Sequence, residues 1–131
     1  MEVLSGNRYG LTREAISGKT GVTLGGTLSG MLKALVQSDL VSTYWNFGES
    51  KKIQYFKLTD MFCLFYLGFV QKNPTTNRTY WHDNQNSPRV NSWRGRAFED
   101  VCFVHQQQVK RAVGIDGVQA EVYPWHATGD R

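Results

Sequence analysis

Between residues 27 and 38 the apolar side chains Leu28, Met31, Leu32, Leu35 and Val36 fall at i, i+3, i+4, i+7 and i+8. That spacing lines one face of an α-helix. Thr27 stands where it can cap the start, and Ser29, Gly30, Lys33 and Gln37 take the other face. Upstream, Thr12 can cap a shorter helix over residues 13–17 that stops at Gly18, and the SGKTG stretch supplies a tight turn. Downstream the pattern changes period. Residues 41–47 and 53–58 are rich in Val, Tyr, Trp, Phe and Ile and are joined by a polar loop at residues 48–52, which predicts a β-hairpin. Helix, glycine-bearing turn, helix and hairpin is the order of a winged helix-turn-helix, with the second helix in the recognition position and the hairpin as the wing. Residues 1–58 are expected to form it.

Residues 59–71 continue with a Thr59-Asp60 cap and the run MFCLFYLGFVQ, apolar on every side of a helix. Such a helix is expected to be buried between layers, with Phe62, Phe65, Tyr66 and Phe69 each contributing on the order of 1.5 to 3 kcal/mol. Residues 72–92 are Asn-, Thr- and Pro-rich, with Pro74 and Pro88 and little periodicity, and are expected to be a linker. Residues 95–113 can be one helix, with Phe98, Val101, Cys102, His105, Val109 and Ala112 along a stripe and Gly114 as the stop. His105 on that stripe is expected to be a satisfied core histidine. Residues 118–123 alternate as a strand would. The expected class is α+β: a winged helix-turn-helix, then a mainly helical segment.

Length and charge narrow the choices only a little. A chain of 131 residues holds one ordinary domain, or a small one and part of another. Fifteen Lys and Arg against eleven Asp and Glu give +4, which permits nucleic-acid contact without demonstrating it. Cys63 and Cys102 form no CxxC pair and sit in apolar helical patterns, as buried free thiols of a reducing compartment do. The N-terminal residues lack the basic start and apolar core of a signal peptide. The run at residues 61–70 is about half a bilayer span. A cytoplasmic protein without membrane contact is expected.

Complete chemical constellations are missing. SGKTG copies the last letters of a phosphate loop, but the upstream glycine and feeding strand are absent. His82, His105 and His126 lack zinc-site spacing, and His82-Asp83 in a polar stretch is by default a solvated pair. Glu99 and His105 are six apart, off a common helix face. No cofactor and no small-molecule ligand is expected. Candidates for nucleic-acid contact are Lys33 and Gln37 on the second helix, Arg13 and Lys19 around the first, and Lys51 and Lys52 in the wing. Dispersed lysines are more often a solvated surface.

The order LTREAIS, TGVTLGGTLSGMLKALVQSDLV, YFKLTDMFCLFYLGFV, NSWRGRAFEDVCFVHQQQVKRAVGI and VYPWH resembles the C-terminal region of a bacterial and archaeal family of AAA-type ATPases. The resemblance covers nearly the whole chain, and L-T-D-x-F-x-x-F-Y with W-R-G-R-A-F-E is its most specific part. It implies a winged helix followed by a domain like the PD-(D/E)XK nucleases, whose opening portion would be residues 93–131. The family's Walker motifs would precede residue 1, so no ATP hydrolysis by this chain is expected. Glu99 in GRAFE is similar to the acidic residue of the first nuclease-like helix. The Asp and the E-x-K of that fold would follow Trp125, beyond this sequence, so Glu99 stands alone where metal-assisted cleavage needs converging carboxylates and a Lys. The chain thus looks like a middle fragment of a larger ancestor, with a truncated nuclease-like portion.

Three readings follow. The first is a non-enzymatic winged-helix interaction module, associating as a homodimer or with a protein partner through its aromatic helices. The second is a DNA-binding transcriptional regulator. The third is the remnant of a metal-dependent nuclease.

Overall fold

The computed structural model describes residues 1–46, 53–72 and 77–119. The expected wing loop with Lys51 and Lys52, and residues 120–123 of the strand expected over residues 118–123, lie outside them. The chain is a mixture of helices and a three-stranded antiparallel sheet, an α+β protein. It divides into two compact units, Met1–Phe69 and one within Val70–Val122.

The first unit opens with α1 (Glu2–Ser5), β1 (Leu11–Thr12) and α2 (Arg13–Thr20). Thr12 Oγ1 accepts from the Ala15 amide at 3.3 Å, so the expected N-cap is in place. The helix runs past Gly18, where it was expected to stop. Gly18 is tolerated inside it, and the stop is Gly21, whose φ of 73° is the left-handed conformation that ends helices. Then α3 (Gly26–Gln37) starts one residue before Thr27. Gly25 is the cap, because its carbonyl already accepts from the Ser29 amide at 3.1 Å.

Leu28 and Leu32 of α3 are buried, and Leu35 and Val36 pack beside them. Met31 departs from the expected stripe and is 54% exposed. Its place on the flank of the apolar arc, more than a right angle from Leu32 and Val36 around the axis, takes it off the core. Past Ser38 the chain turns through Asp39, at φ 57°, and the Leu40 amide donates back to the Leu35 carbonyl. This turn leads directly into the sheet.

Strands β2 (Val41–Tyr44) and β3 (Tyr55–Leu58) pair antiparallel, Val41 opposite Leu58 and Tyr44 opposite Tyr55. They are shorter than the expected strands, and β1 pairs with the other edge of β3 to give the order β1-β3-β2. Gly10 makes that third strand possible. Its φ is +69°, and a Cβ there would meet the Phe56 carbonyl oxygen at 2.5 Å. The buried Tyr44 stacks on Tyr55 with ring centroids 5.5 Å apart, and its hydroxyl donates to the Tyr9 carbonyl beside Gly10. Leu4, Ile16, Leu28, Leu32, Val41, Phe56, Leu58 and Leu67 make one core, to which α1, α2, α3, β2 and β3 each give at least one buried side chain.

Leu67 belongs to the apolar segment that closes this unit, α4 (Met61–Phe65) running into a π-helical turn at Tyr66–Val70. Asp60 Oδ1 accepts from the Cys63 amide at 2.7 Å and caps it. Cys63, Leu64 and Leu67 face the core. Burial on every side was expected, but Phe62 is 72% exposed and Tyr66 and Val70 are exposed too. Only one face of the helix is covered by the core, and the aromatic content of the run concealed that asymmetry.

The second unit contains α5 (Tyr80–Asn84), α6 (Pro88–Val104) and α7 (Gln106–Ala112). Much of the expected linker is therefore helical. Ser87 Oγ accepts from the Val90 amide at 3.4 Å, and Pro88 takes the first helical position, where its missing N–H costs nothing. The single helix expected over residues 95–113 is two helices, parted at His105 with φ −99° and ψ 24°. Its apolar stripe is not buried, so no packed face enforces one register across the break. Phe98 is 70% exposed, Val101 and Val109 are exposed, and Lys110, placed away from the stripe by the sequence, is buried. His105 is exposed and is not a core histidine.

Candidate functional site

The outward face of α3 is the surface that a recognition helix would offer. Thr27, Ser29, Gly30, Met31, Lys33, Ala34 and Gln37 are exposed there, and Lys33 is its one cation. Lys33 and Gln37, four residues apart, lie on the same side, while Lys19 is exposed near the end of α2. Phosphate recognition draws on several Arg and Lys side chains converging on one surface. A face with a single ammonium group and two glycine or alanine positions offers smooth shape instead of charge.

Arg13, a candidate from the sequence, is engaged inside the unit. Its Nη2 donates to the Gly25 carbonyl at 3.0 Å, tying the first turn of α2 to the cap of α3. The side chain is half-buried, and its Nε is buried without a hydrogen-bond partner. Arg13 thus sets the angle between the two helices from within. Replacing it with Ala should cost about 1–2 kcal/mol, the scale of a partly buried bond from a charged donor, read as a lower urea midpoint at unchanged slope.

Glu99 is exposed on α6, and among the described residues no three His, Cys, Asp or Glu side chains gather where they could hold a metal ion. His82 Nδ1 and Asp83 Oδ1 are 3.4 Å apart, both exposed, and Asp83 also accepts from Thr79 Oγ1 at 2.8 Å. An exposed pair of this kind contributes little. No described helix is long and apolar enough to cross a membrane.

Both cysteines are free and half-buried, less enclosed than their apolar patterns suggested. The hydrogen bond to the Asp60 carboxylate pushes the Cys63 thiol pKa up, and partial burial and the negative charge of Asp60 act the same way. Cys63 is therefore held as a thiol, the unreactive form. Its alkylation should begin only at a pH above the ordinary thiol range. Asp60→Asn, which keeps a capping oxygen and removes the charge, should move that onset down in a pH series of iodoacetamide labelling.

Sequence reasoning missed the exposed aromatic pair on the helix that closes the first unit. Phe62 and Tyr66 stack with ring centroids 6.2 Å apart and planes 25° from parallel. The signal was present as the spacing of four between two rings, but an all-apolar run gives no indication of which side lacks a cover.

No family model, no curated protein and no solved structure matches this chain.

Proposed function

We propose that residues 1–58 are a winged helix-turn-helix whose role is contact with another protein, with no chemistry of its own. The order α1-β1-α2-α3-β2-β3 and the sheet order β1-β3-β2 support the fold reading: two helices tied through Arg13 are followed by the antiparallel pair β2 and β3. The observation that carries the functional reading is the outward face of α3, with Lys33 as its one cation. The similarity of residues 55–70 and 91–99 to the AAA-type ATPase family supports an origin beside an ATPase, with residues 93–131 as the opening of a nuclease-like domain.

Retardation of a mixed-sequence duplex by the full chain at low salt tests this. The protein-contact reading expects no retarded band, or a weak one that vanishes as salt rises and ignores sequence. A band that selects sequence and is lost on replacing Lys19, Lys33, Lys51 and Lys52 would establish the DNA-binding regulator instead.

A further inference from the structure

We infer that Asp116 is a modification site, at which the folded chain converts to isoaspartate through attack by the amide nitrogen of Gly117. The inference goes beyond the winged-helix reading and does not depend on it. Asp116-Gly117 is the one Asp-Gly pair of the sequence, and no Asn-Gly pair occurs. The two residues are exposed and hold the central positions of a β-turn, closed by the Val118 amide donating to the Ile115 carbonyl at 3.0 Å.

This turn hangs from a fixed point. The Ile115 amide donates to the Lys110 carbonyl at 3.0 Å, and Gly114, at φ 74°, ends α7 in the left-handed conformation. Past Ile115 the turn is held among the described residues by its one backbone bond alone. The Gly117 amide has no hydrogen-bond partner among them, so its nitrogen gives up nothing on turning toward the Asp116 carboxyl. Nothing lies within 4 Å of where a Cβ on residue 117 would stand, and closure of a ring there meets no obstacle.

Two Asn-Ser pairs provide the contrast. Asn86 and Asn91 are exposed, and each precedes a small serine. The Ser87 amide, however, donates to the Asn84 carbonyl at 2.9 Å, and Ser92 lies inside α6, where regular i→i−4 bonding occupies its amide. Attack at either asparagine must first break a bond that Gly117 does not make.

The chemistry needs no reagent but water. The Gly117 nitrogen bonds to Asp116 Cγ, the carboxyl hydroxyl leaves with the amide proton as water, and a five-membered succinimide results. Water then adds to one of its two carbonyls. Breaking the bond from nitrogen to Cγ restores aspartate; breaking the bond to the main-chain carbonyl gives isoaspartate, with unchanged mass and one more carbon in the backbone path. The lengthened path no longer fits the bond from Val118 to Ile115, so the chain leaves α7 in a new direction.

The full chain and a synthetic peptide of residues 112–131 are incubated side by side in neutral buffer. After trypsin, isoaspartate at residue 116 is read by electron-transfer fragmentation of the product covering residues 112–131. The full chain should accumulate it as fast as the peptide, since a free turn opens at almost no cost. Deamidation at Asn86 and Asn91 should lag that in peptides of residues 79–89 and 90–94 by about tenfold or more, which corresponds to about 1.4 kcal/mol of local opening. Gly117→Val should slow the change at Asp116 severalfold, and Asp116→Glu should abolish it. An Asp116 that lags its own peptide as strongly as the asparagines lag theirs would overturn the inference. So would isoaspartate that forms in the full chain at the same rate in Gly117→Val.

Discussion

Gly10→Ala is expected to unfold the first unit or leave it barely stable, with a loss of about 3 kcal/mol or more. Two costs combine. An alanine at φ +69° occupies the left-handed region at about 1–2 kcal/mol. Its Cβ would also sit 2.5 Å from the Phe56 carbonyl oxygen and 2.9 Å from its carbon. Those are backbone atoms of the central strand, so no side chain can swing away to make room. Relief requires β1 to leave β3, taking the Tyr44 hydrogen bond to Tyr9 with it. Gly21→Ala is the control, since its φ of +73° carries the same conformational cost but nothing lies within 4 Å of the added carbon. Chemical denaturation should show Gly21→Ala lowering stability by about 1 kcal/mol and Gly10→Ala by clearly more. Equal losses would mean that the close approach of residue 10 to β3 is not made.

Leu58→Ala should cost about 2–5 kcal/mol, the range for emptying a fully enclosed aliphatic site. Leu58 is among the least exposed side chains of the chain and stands opposite Val41, itself fully enclosed, in the β2–β3 pair. It precedes the buried Thr59, whose hydroxyl is 3.0 Å from that of Ser42, and the Asp60 cap of α4. A cavity at this point loosens the junction of sheet and closing helix together. The outcome to measure is a single cooperative transition with a lowered midpoint. Phe98→Ala provides the contrast: Phe98 is 70% exposed on α6, so its loss should change stability by no more than about 0.5 kcal/mol.

Much of the first unit was legible because its elements bury a periodic face. Leu28, Leu32, Leu35 and Val36 point one way from α3, and the paired strands carry Val41, Phe56 and Leu58 inward. The caps at Thr12 and Asp60 were legible for a chemical reason, the short side-chain oxygen placed before an apolar run. What escaped reading had no period to reveal it. Strand β1 is two residues long, and its existence depends on the left-handed turn at Gly10, which the sequence shows only as one glycine among many. Gly18 and Gly21 are the same residue type, and which of them ends α2 is decided by conformation.

The second unit was legible mainly at the wrong places. Ser87-Pro88 is an ordinary helix start, but the Asn-rich composition around it masked the signal. The stripe through Phe98, Val101 and Val109 has sound helical spacing and yet is exposed, since periodicity states which residues share a face and not whether anything packs on it. The candidate site shows the same limit. Lys33 and Gln37 lie on the outward face of α3 as expected, whereas Arg13, a candidate for nucleic-acid contact from the sequence, turns its guanidinium to the Gly25 carbonyl. The spare charge of a long side chain is often spent on a nearby cap, and only geometry reveals it.

The winged-helix reading of residues 1–58 rests above all on β3 lying between β1 and β2. Backbone nuclear Overhauser contacts of the full chain test that placement directly. The account predicts cross-strand contacts from Phe56 to Thr43 on one side and from Phe56 to Leu11 on the other. Contacts from Phe56 to β2 alone would leave a plain hairpin with a free edge and would contradict it.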